Sequence, residues 1–497
     1  MSAAVAFSLV AHTNVGKTTL ARTLLRRDVG EVRDEAHVTL AAERYTLVET
    51  PAGDRLELWD TPGFGDSLRL AARLRRAANP LGWFLNEVWD RWRDRAMWSS
   101  QRAVRNVLEQ ADVVLYLVNA AEAPEDAAYV DAELEVLDLL AKPALVMLNQ
   151  TGPPRPPAQE AAELQRWRVR CSAHACVRAV LALDAFARCW VQEGTLLQAV
   201  ADALPAPKQR VFAPLRAAWD ARLQAVWRQS IDVLAARLAR AALDREPIPA
   251  GGWSGRLREI GAALGLRRDA AATPREQAMA SLAERLDADI RTSTDALIGL
   301  HGLDGQATKV VLMRMAEHFA VREPLSEGKA AVWGGIVTGA LAGLKADIAS
   351  GGMTLGGGLL AGGVLGAFGA AGLARGVNLL RGADVPTLAW SDELLDDLAR
   401  SALLGYLAVA HYGRGRGGWM ASEHPDFWSA AVDEVIAPRQ EALRRLWSGR
   451  GDSGPQAAGR LQSALADWLA EASRVLLRKL YPQAGAVLSA SPADVSR

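Results

Sequence analysis

Residues 11–20 read AHTNVGKTTL, and their reading decides the fold of the first part of the chain. Ahead of them Val5, Ala6, Phe7, Ser8, Leu9 and Val10 form an apolar run that suits a buried parallel strand. Behind them Thr18 to Leu25 suits a helix. The junction is A-x-x-x-x-G-K-T, a phosphate-loop pattern with Ala11 where glycine is commonest. A tight loop of this kind turns backbone N–H groups inward around an anion, and the helix N-terminus adds its positive dipole end. Asn14, Val15, Gly16, Lys17, Thr18 and Thr19 would then line the phosphates. Lys17 reaches the β and γ phosphates, and the Thr18 hydroxyl ligates magnesium.

A second motif supports the first. The strand RLELW ends in D-T-P-G-F, Asp60 to Phe64. In a phosphate-loop nucleotidase an acidic residue at the end of a neighbouring strand holds the magnesium shell, and a glycine after it gives its N–H to the γ-phosphate. Asp60 and Gly63 fit those roles. The polar stretch between the motifs ends in Thr39, placed to bring a hydroxyl to magnesium while the γ-phosphate is present. Two motifs in this order, each at a strand end, predict nucleoside triphosphate binding.

The 497 residues exceed one ordinary core, so several domains are expected. Half the residues are apolar and 23% are charged, with 57 basic against 57 acidic. That balance leaves no global field to favour nucleic acid as a partner. Cys171, Cys176 and Cys189 make neither a disulfide framework nor a zinc set, and the seven histidines show no metal-ligand spacing. Packing is the favoured reading of the cysteines, and a reduced cytoplasmic setting fits. The apolar start lacks a basic n-region and reads as a first strand, not a signal peptide.

Up to about residue 200, short β-type runs alternate with helical stretches, which predicts an α/β domain in three layers with a mainly parallel sheet. The expected strands after the first are His37–Glu49, Arg55–Trp59, Val113–Asn119, Ala144–Asn149 and Ala179–Leu183. The turn P-A-G-D at 51–54 makes a hairpin, so one edge strand should be antiparallel. A tryptophan-rich insertion, Ser67 to Gln110, mixes acids among its arginines and reads as helices that pack, not as an RNA surface. LPAPKQR at 204–210 reads as a linker, and beyond it strand signals stop. Trp219, Leu223, Trp227, Ile231, Leu234 and Leu238, then Leu461, Leu465, Trp468, Ala472, Leu476 and Leu480, recur at helical steps as core stripes. The expected division is 1–203, a linker, helices over 211–328, an apolar hairpin over 329–381, helices over 382–481 and a tail over 482–497.

From Ala331 to Asn378 the chain holds 15 of its 43 glycines and only the charges of Lys345, Asp347 and Arg375. Gly335, Gly339 and Gly343 fall four apart, as do Gly358, Gly362 and Gly366, which makes a groove where a second helix can approach closely. The run predicts a helical hairpin over Trp333–Leu380, either packed within the protein or touching a membrane through 331–378.

NVGKT with DTPG resembles the Era, TrmE and septin-related branch of bacterial GTPases over residues 1 to about 203. DVVLYLVNAAE, LVMLNQTGPPR and LALDAFARCWVQE are similar to one bacterial family that joins an Era-like GTPase domain to a C-terminal domain of unknown function. The resemblance implies GTP and GDP as ligands, magnesium as cofactor and hydrolysis of GTP, with Lys17, Asn14 and Gly63 at the reacting phosphates. It also implies potassium beside the phosphates, because Asn14 matches the potassium-linked asparagine of that branch; capping of the loop is the competing role for Asn14. A nucleotide-dependent scaffold at the inner face of the membrane, with a dynamin-like layout, is a second reading, and an RNA or ribosome assembly factor a third. A protein partner and a homodimer complete the expectations.

Two departures stand out. The guanine-reading N-K-x-D is here N-Q-T-G, Asn149 to Gly152, so Asn149 and Gln150 face the base without the carboxylate. A hydrogen bond to a charged group is worth about 1.5–3 kcal/mol, so the loss bears on base selection. Asp184 in LALDAF is a candidate replacement, with Asn149 on the acceptor side of the base; its competing role is a helix cap. Phe64 stands where Ras-like enzymes carry the water-orienting glutamine, so hydrolysis must use another group.

Overall fold

The computed structural model describes residues 3–26, 29, 42–76, 79–80, 82, 86, 92–151, 155–183, 189–248, 274–303, 377–380, 387–411, 427–451 and 456–489. Thr39, Gly152, Asp184 and nearly all of the glycine-rich segment lie outside these residues. The chain divides into two compact units, one of residues 1–226, 410–425 and 477–497, the other of 227–409 and 426–476.

In the first unit a six-stranded sheet follows from the apolar runs. Strand β1 (Ala4–Ala11) is buried along all but its first residue, as a strand covered on both faces must be. Helix α1 (Lys17–Leu25) follows it, then β2 (Glu43–Glu49) and β3 (Arg55–Asp60). The β2–β3 pair is antiparallel and closes through Thr50 and Gly53, whose N–H donates to the Thr50 carbonyl at 2.8 Å with φ at +85°. Only a glycine takes that angle without strain. The insertion contributes α2 (Ser67–Leu74) and α3 (Arg95–Gln110), capped by the carboxylates of Asp66 and Asp94. Strand β4 (Val113–Asn119), α4 (Ala128–Leu140), β5 (Ala144–Asn149), α5 (Pro157–Cys171), β6 (Val177–Ala182) and α6 (Trp190–Ala203) complete the alternation. The sheet order is β2-β3-β1-β4-β5-β6, with every pair but β2–β3 parallel. Strand β1 therefore has parallel partners on both sides, reached by connections running opposite ways. The crevice that opens there, beyond its C-terminal end, is where such sheets bind ligands.

The three cysteines are free and buried; burial pushes the Cys171 thiol up to about 11 and the Cys176 thiol up as well. Packing explains both.

The expected linker at 204–210 is corrected. Helix α7 (Ala206–Leu243) begins inside it, because Pro205 and Pro207 sit at a helix start, where a missing N–H costs nothing. The Pro205 carbonyl accepts from the N–H groups of Lys208 and Gln209 at 2.9 and 3.0 Å. Prolines therefore open a helix here instead of loosening the chain. The stripe Trp219, Leu223, Trp227, Ile231, Leu234 and Leu238 on α7 is buried throughout.

The second unit contains α8 (Pro274–Leu300) together with a sheet the sequence did not announce. Strands β7 (Arg245–Pro247), β8 (Val377–Leu380) and β9 (Thr387–Trp390) pair antiparallel in the order β7-β9-β8. Runs of three or four residues are too short to show an alternation. Residues 377–380 are thus a strand and not the end of a helical hairpin. Helices α9 (Asp392–Ala410), α10 (Phe427–Ile436), α11 (Gln440–Ser448) and α12 (Ala457–Leu480) follow. Two buried tryptophans find polar partners here: Trp227 donates to Ser473 Oγ at 3.3 Å and Trp447 to Asp396 Oδ1 at 2.8 Å. No helix among the described residues is long and apolar enough to cross a membrane.

The chain then returns to the first unit as α13 (Gly485–Ser489), packed on α6. A Cβ on Gly194 of α6 would lie 2.5 Å from Val487 Cγ1. Valine is stiff at χ1, so little relief is available by rotation. Gly194→Leu should therefore destabilise the first unit by about 1–3 kcal/mol through overpacking. Chemical denaturation would measure this, with earlier proteolytic cleavage near residue 485 as the accompanying sign.

Candidate functional site

The loop between β1 and α1 shows why its residues are what they are. Ala11 still belongs to the strand, has no positive φ, and so accommodates a side chain where glycine is commonest. Asn14 (φ +65°) and Gly16 (φ +97°) take left-handed conformations. Asparagine tolerates that region and glycine is unhindered in it. At Gly16 a Cβ would also come within 2.7 Å of Asn149 Nδ2, so the site has no room for one. Alternation of this kind turns backbone N–H groups into an anion-binding concavity at the start of α1.

Lys17 is buried, and its Nζ donates to the His12 carbonyl at 3.3 Å. Burial pushes its pKa down, against the pull of Asp60 and Glu133. Thr18 Oγ1 donates to Asp60 Oδ2 at 2.6 Å. Burial lifts the Asp60 carboxyl to about 6, opposed by the Thr18 hydrogen bond and by Lys17. Its other oxygen, Oδ1, is buried with no hydrogen-bond partner among the described residues. An orphaned carboxylate oxygen beside a hydroxyl is a hard-oxygen pair suited to magnesium, so Thr18 and Asp60 fit the ion that the motifs imply.

Gly63 faces the same centre. A Cβ there would stand 3.0 Å from Lys17 Nζ and 3.2 Å from Thr13 Cα, so the backbone approaches the lysine closely. Ser99 Oγ donates to the Gly63 carbonyl at 2.9 Å, and the Phe64 N–H donates to the Ala11 carbonyl at 2.9 Å. The Phe64 ring is fully buried in a cluster with Val10 and Met97, which confirms that it orients no water.

On the base side Asn149 is fully buried and gives one amide N–H to the Val15 carbonyl at 2.6 Å. The sequence placed Asn149 at the base's acceptor side; the structure spends part of its amide on tying β5 to the phosphate loop. Gln150 (φ +58°) donates from Nε2 to the Asn14 carbonyl at 3.4 Å. Val15 and Thr19 are buried, and the Asn14 side chain is exposed with no hydrogen bond among the described residues. The structure thus brings together Asn14 to Thr19, Asp60, Gly63, Asn149 and Gln150.

One residue escaped the sequence reading. Glu133 on α4 is fully buried and accepts from Tyr116 Oη at 2.9 Å, from the His12 ring at 2.8 Å and from Ser67 Oγ. Its signal was a carboxylate in phase with Val130, Leu134 and Leu137 on an apolar helix face.

Residues 6–150 match the family described as 50S ribosome-binding GTPase. No curated protein matches the chain. Among solved structures, Era in complex with MgGDPNP and a segment of 16S ribosomal RNA is 18% identical, with a TM-score of 0.30 over 41% of this chain and 58% of that one. A variant of Aquifex aeolicus Era bound to GDP and AlF4− gives 18% and 0.30 over 41% and 57%. The chain thus spans under two thirds of the length of either Era structure. A bacterial dynamin pair described as tethering membranes is 9% identical, with a TM-score of 0.22 over 96% of this chain and 76% of that one. The phosphate loop, the DTPG loop and the strand order agree with the family match in giving residues 6–150 the features of a P-loop GTPase domain.

Proposed function

We propose that this protein binds GTP with magnesium, hydrolyses it to GDP and phosphate, and passes the nucleotide state through its helical region to a protein partner. The observation that carries the reading is the contact of Thr18 Oγ1 with Asp60 Oδ2, beside the buried ammonium of Lys17 and the unhindered backbone of Gly63. Bound magnesium would neutralise phosphate charge, held by Thr18 and Asp60. Lys17 gives up its weak contact with the His12 carbonyl for the β and γ phosphate oxygens. The Gly63 N–H, on the loop beside Lys17, meets the γ-phosphate. Thr39, outside the described residues, supplies a further hydroxyl to the cation.

With Phe64 in the core, stabilisation of the developing charge falls to another group. Asn14 is suited to it. Its amide stands exposed at the rim of the loop, and an amide oxygen is a fitting ligand for potassium. Base selection rests on Gln150, the tied Asn149 and Asp184, the last outside the described residues. The balanced net charge of the chain favours a protein partner over a nucleic acid.

Lys17→Ala removes the only side-chain cation that the sequence motif aims at the phosphates. Nucleotide affinity should fall by at least about a hundredfold in calorimetric titration, as expected when a charged contact in a dry site is lost. The far-ultraviolet spectrum should stay unchanged, and retained affinity would exclude the loop as the binding site. The cation reading is tested by turnover in potassium against sodium, with binding of a GTP–aluminium fluoride-type analogue as a second readout. Potassium should raise both by about tenfold or more, and Asn14→Ala should abolish the difference. Equal values in the two salts would leave Asn14 a residue of the turn alone.

A further inference from the structure

Glu133 is an expensive residue where it stands. It lies on the apolar face of α4, closed to water, where a leucine would match Val130, Leu134 and Leu137 in packing. Replacing a buried charge together with its partners by apolar groups of similar volume is often neutral or stabilising. What the carboxylate alone provides is acceptance from three donors on three other elements. Tyr116 lies on β4, His12 in the phosphate loop and Ser67 at the first position of α2.

Two of these donors belong to the loops that meet the phosphates. His12 is held at both ends: its ring bonds Glu133 and lies tilted against Tyr129, with centroids 4.7 Å apart, while its carbonyl takes Lys17 Nζ. Ser67 ends the loop that runs from Asp60 past Gly63. The start of that loop is tied by Thr61 Oγ1 to the Leu9 carbonyl at 2.5 Å, its middle by Phe64 N–H to the Ala11 carbonyl, and its end by Ser67 to Glu133. Glu133 touches both loops from outside them.

We propose that Glu133 is a positioning residue that holds the Gly63 loop in register with the phosphate loop, through Ser67 and His12, and so sets the rate of the γ-phosphate step. The proposal rests on the GTPase reading above. It assigns Glu133 no contact with nucleotide. GDP, which lacks the γ-phosphate, makes no use of the Gly63 N–H, so GDP affinity should be indifferent to the tie. Hydrolysis should depend on it.

The test is single-turnover hydrolysis of GTP and equilibrium binding of GDP, measured on the full chain and on two variants. Ser67→Ala removes the tie on one side only, and the Asp66 cap, which accepts from the Arg69 N–H at 3.0 Å, keeps α2 started. Its hydrolysis rate should fall about tenfold while its GDP dissociation constant stays within about twofold, the signature of an interaction used in the transition state and not in ground-state binding. Glu133→Leu strands all three donors and removes a carboxylate that supports Lys17, so its rate should fall at least as far, at a lower melting temperature. Either variant hydrolysing at the rate of the unaltered chain, or Ser67→Ala losing GDP affinity in step with rate, would overturn the proposal. Absence of hydrolysis in the unaltered chain would remove the GTPase reading itself, whereas normal hydrolysis in all three chains would remove this proposal alone.

Discussion

Lys17 carries its ammonium into a site almost closed to water, and that position is tolerable only where negative charge and lone pairs surround it. The surrounding structure supplies them in a fixed order. Asp60 arrives on β3 and Glu133 on α4, the two carboxylates whose charge pulls against the desolvation of Lys17. The His12 carbonyl gives the direct contact. Each carboxylate is in turn buried, and each is kept by donors: Asp60 by Thr18, Glu133 by Tyr116, His12 and Ser67. The arrangement leaves one acceptor, a carboxylate oxygen, without a partner among the described residues. Burial lifts Asp60 to about 6, and its Oδ1 has no partner among the described residues, a condition that a divalent cation relieves. Cation and phosphates complete the charge balance that the protein leaves open.

The strands of the first unit were legible because each is long enough to bury a run of apolar residues. Val113–Asn119 and Ala144–Asn149 are found at the expected bounds, and the P-A-G-D turn makes the antiparallel edge it announced. The strand expected from His37 is found from Glu43, with residues 31–41 outside the described part. Features that depend on distant contacts were not legible. Pro205 and Pro207 looked like punctuation, yet a proline reads the same at a helix start as in a linker. Strands β7 to β9 are too short to carry a period, and β7 finds β9 more than a hundred residues later.

The site divides along the same line. Lys17, Thr18, Asp60 and Gly63 could be singled out because phosphate chemistry demands such residues at fixed places beside a strand end, and the structure brings them together. Asn149 was singled out for a different reason than the contact it makes in the structure. Its position after β5 marked it as base-facing, but the hydrogen bond to Val15 depends on the left-handed turn at Gly16, which leaves room for its amide only because no Cβ is there. Glu133 belongs to no motif. A glutamate in the phase of Val130 and Leu137 was the one visible clue, since an unpaired carboxylate does not remain on a buried face.

Phe64 shows how far this GTPase domain departs from an enzyme that orients water with a side chain on the loop after β3. Its ring fills the core beside Met97, and its N–H pairs with the Ala11 carbonyl, so the loop is held to the sheet and cannot swing a side chain over the phosphates from that position. A loop fixed at this point loses a mobile catalytic arm and gains a Gly63 N–H whose place is set by the core. What remains adjustable is the register of the whole loop, decided at Thr61 on one side and at Ser67 on the other. Control of such a site therefore shifts from the side chain after the glycine to the groups that anchor the loop's two ends.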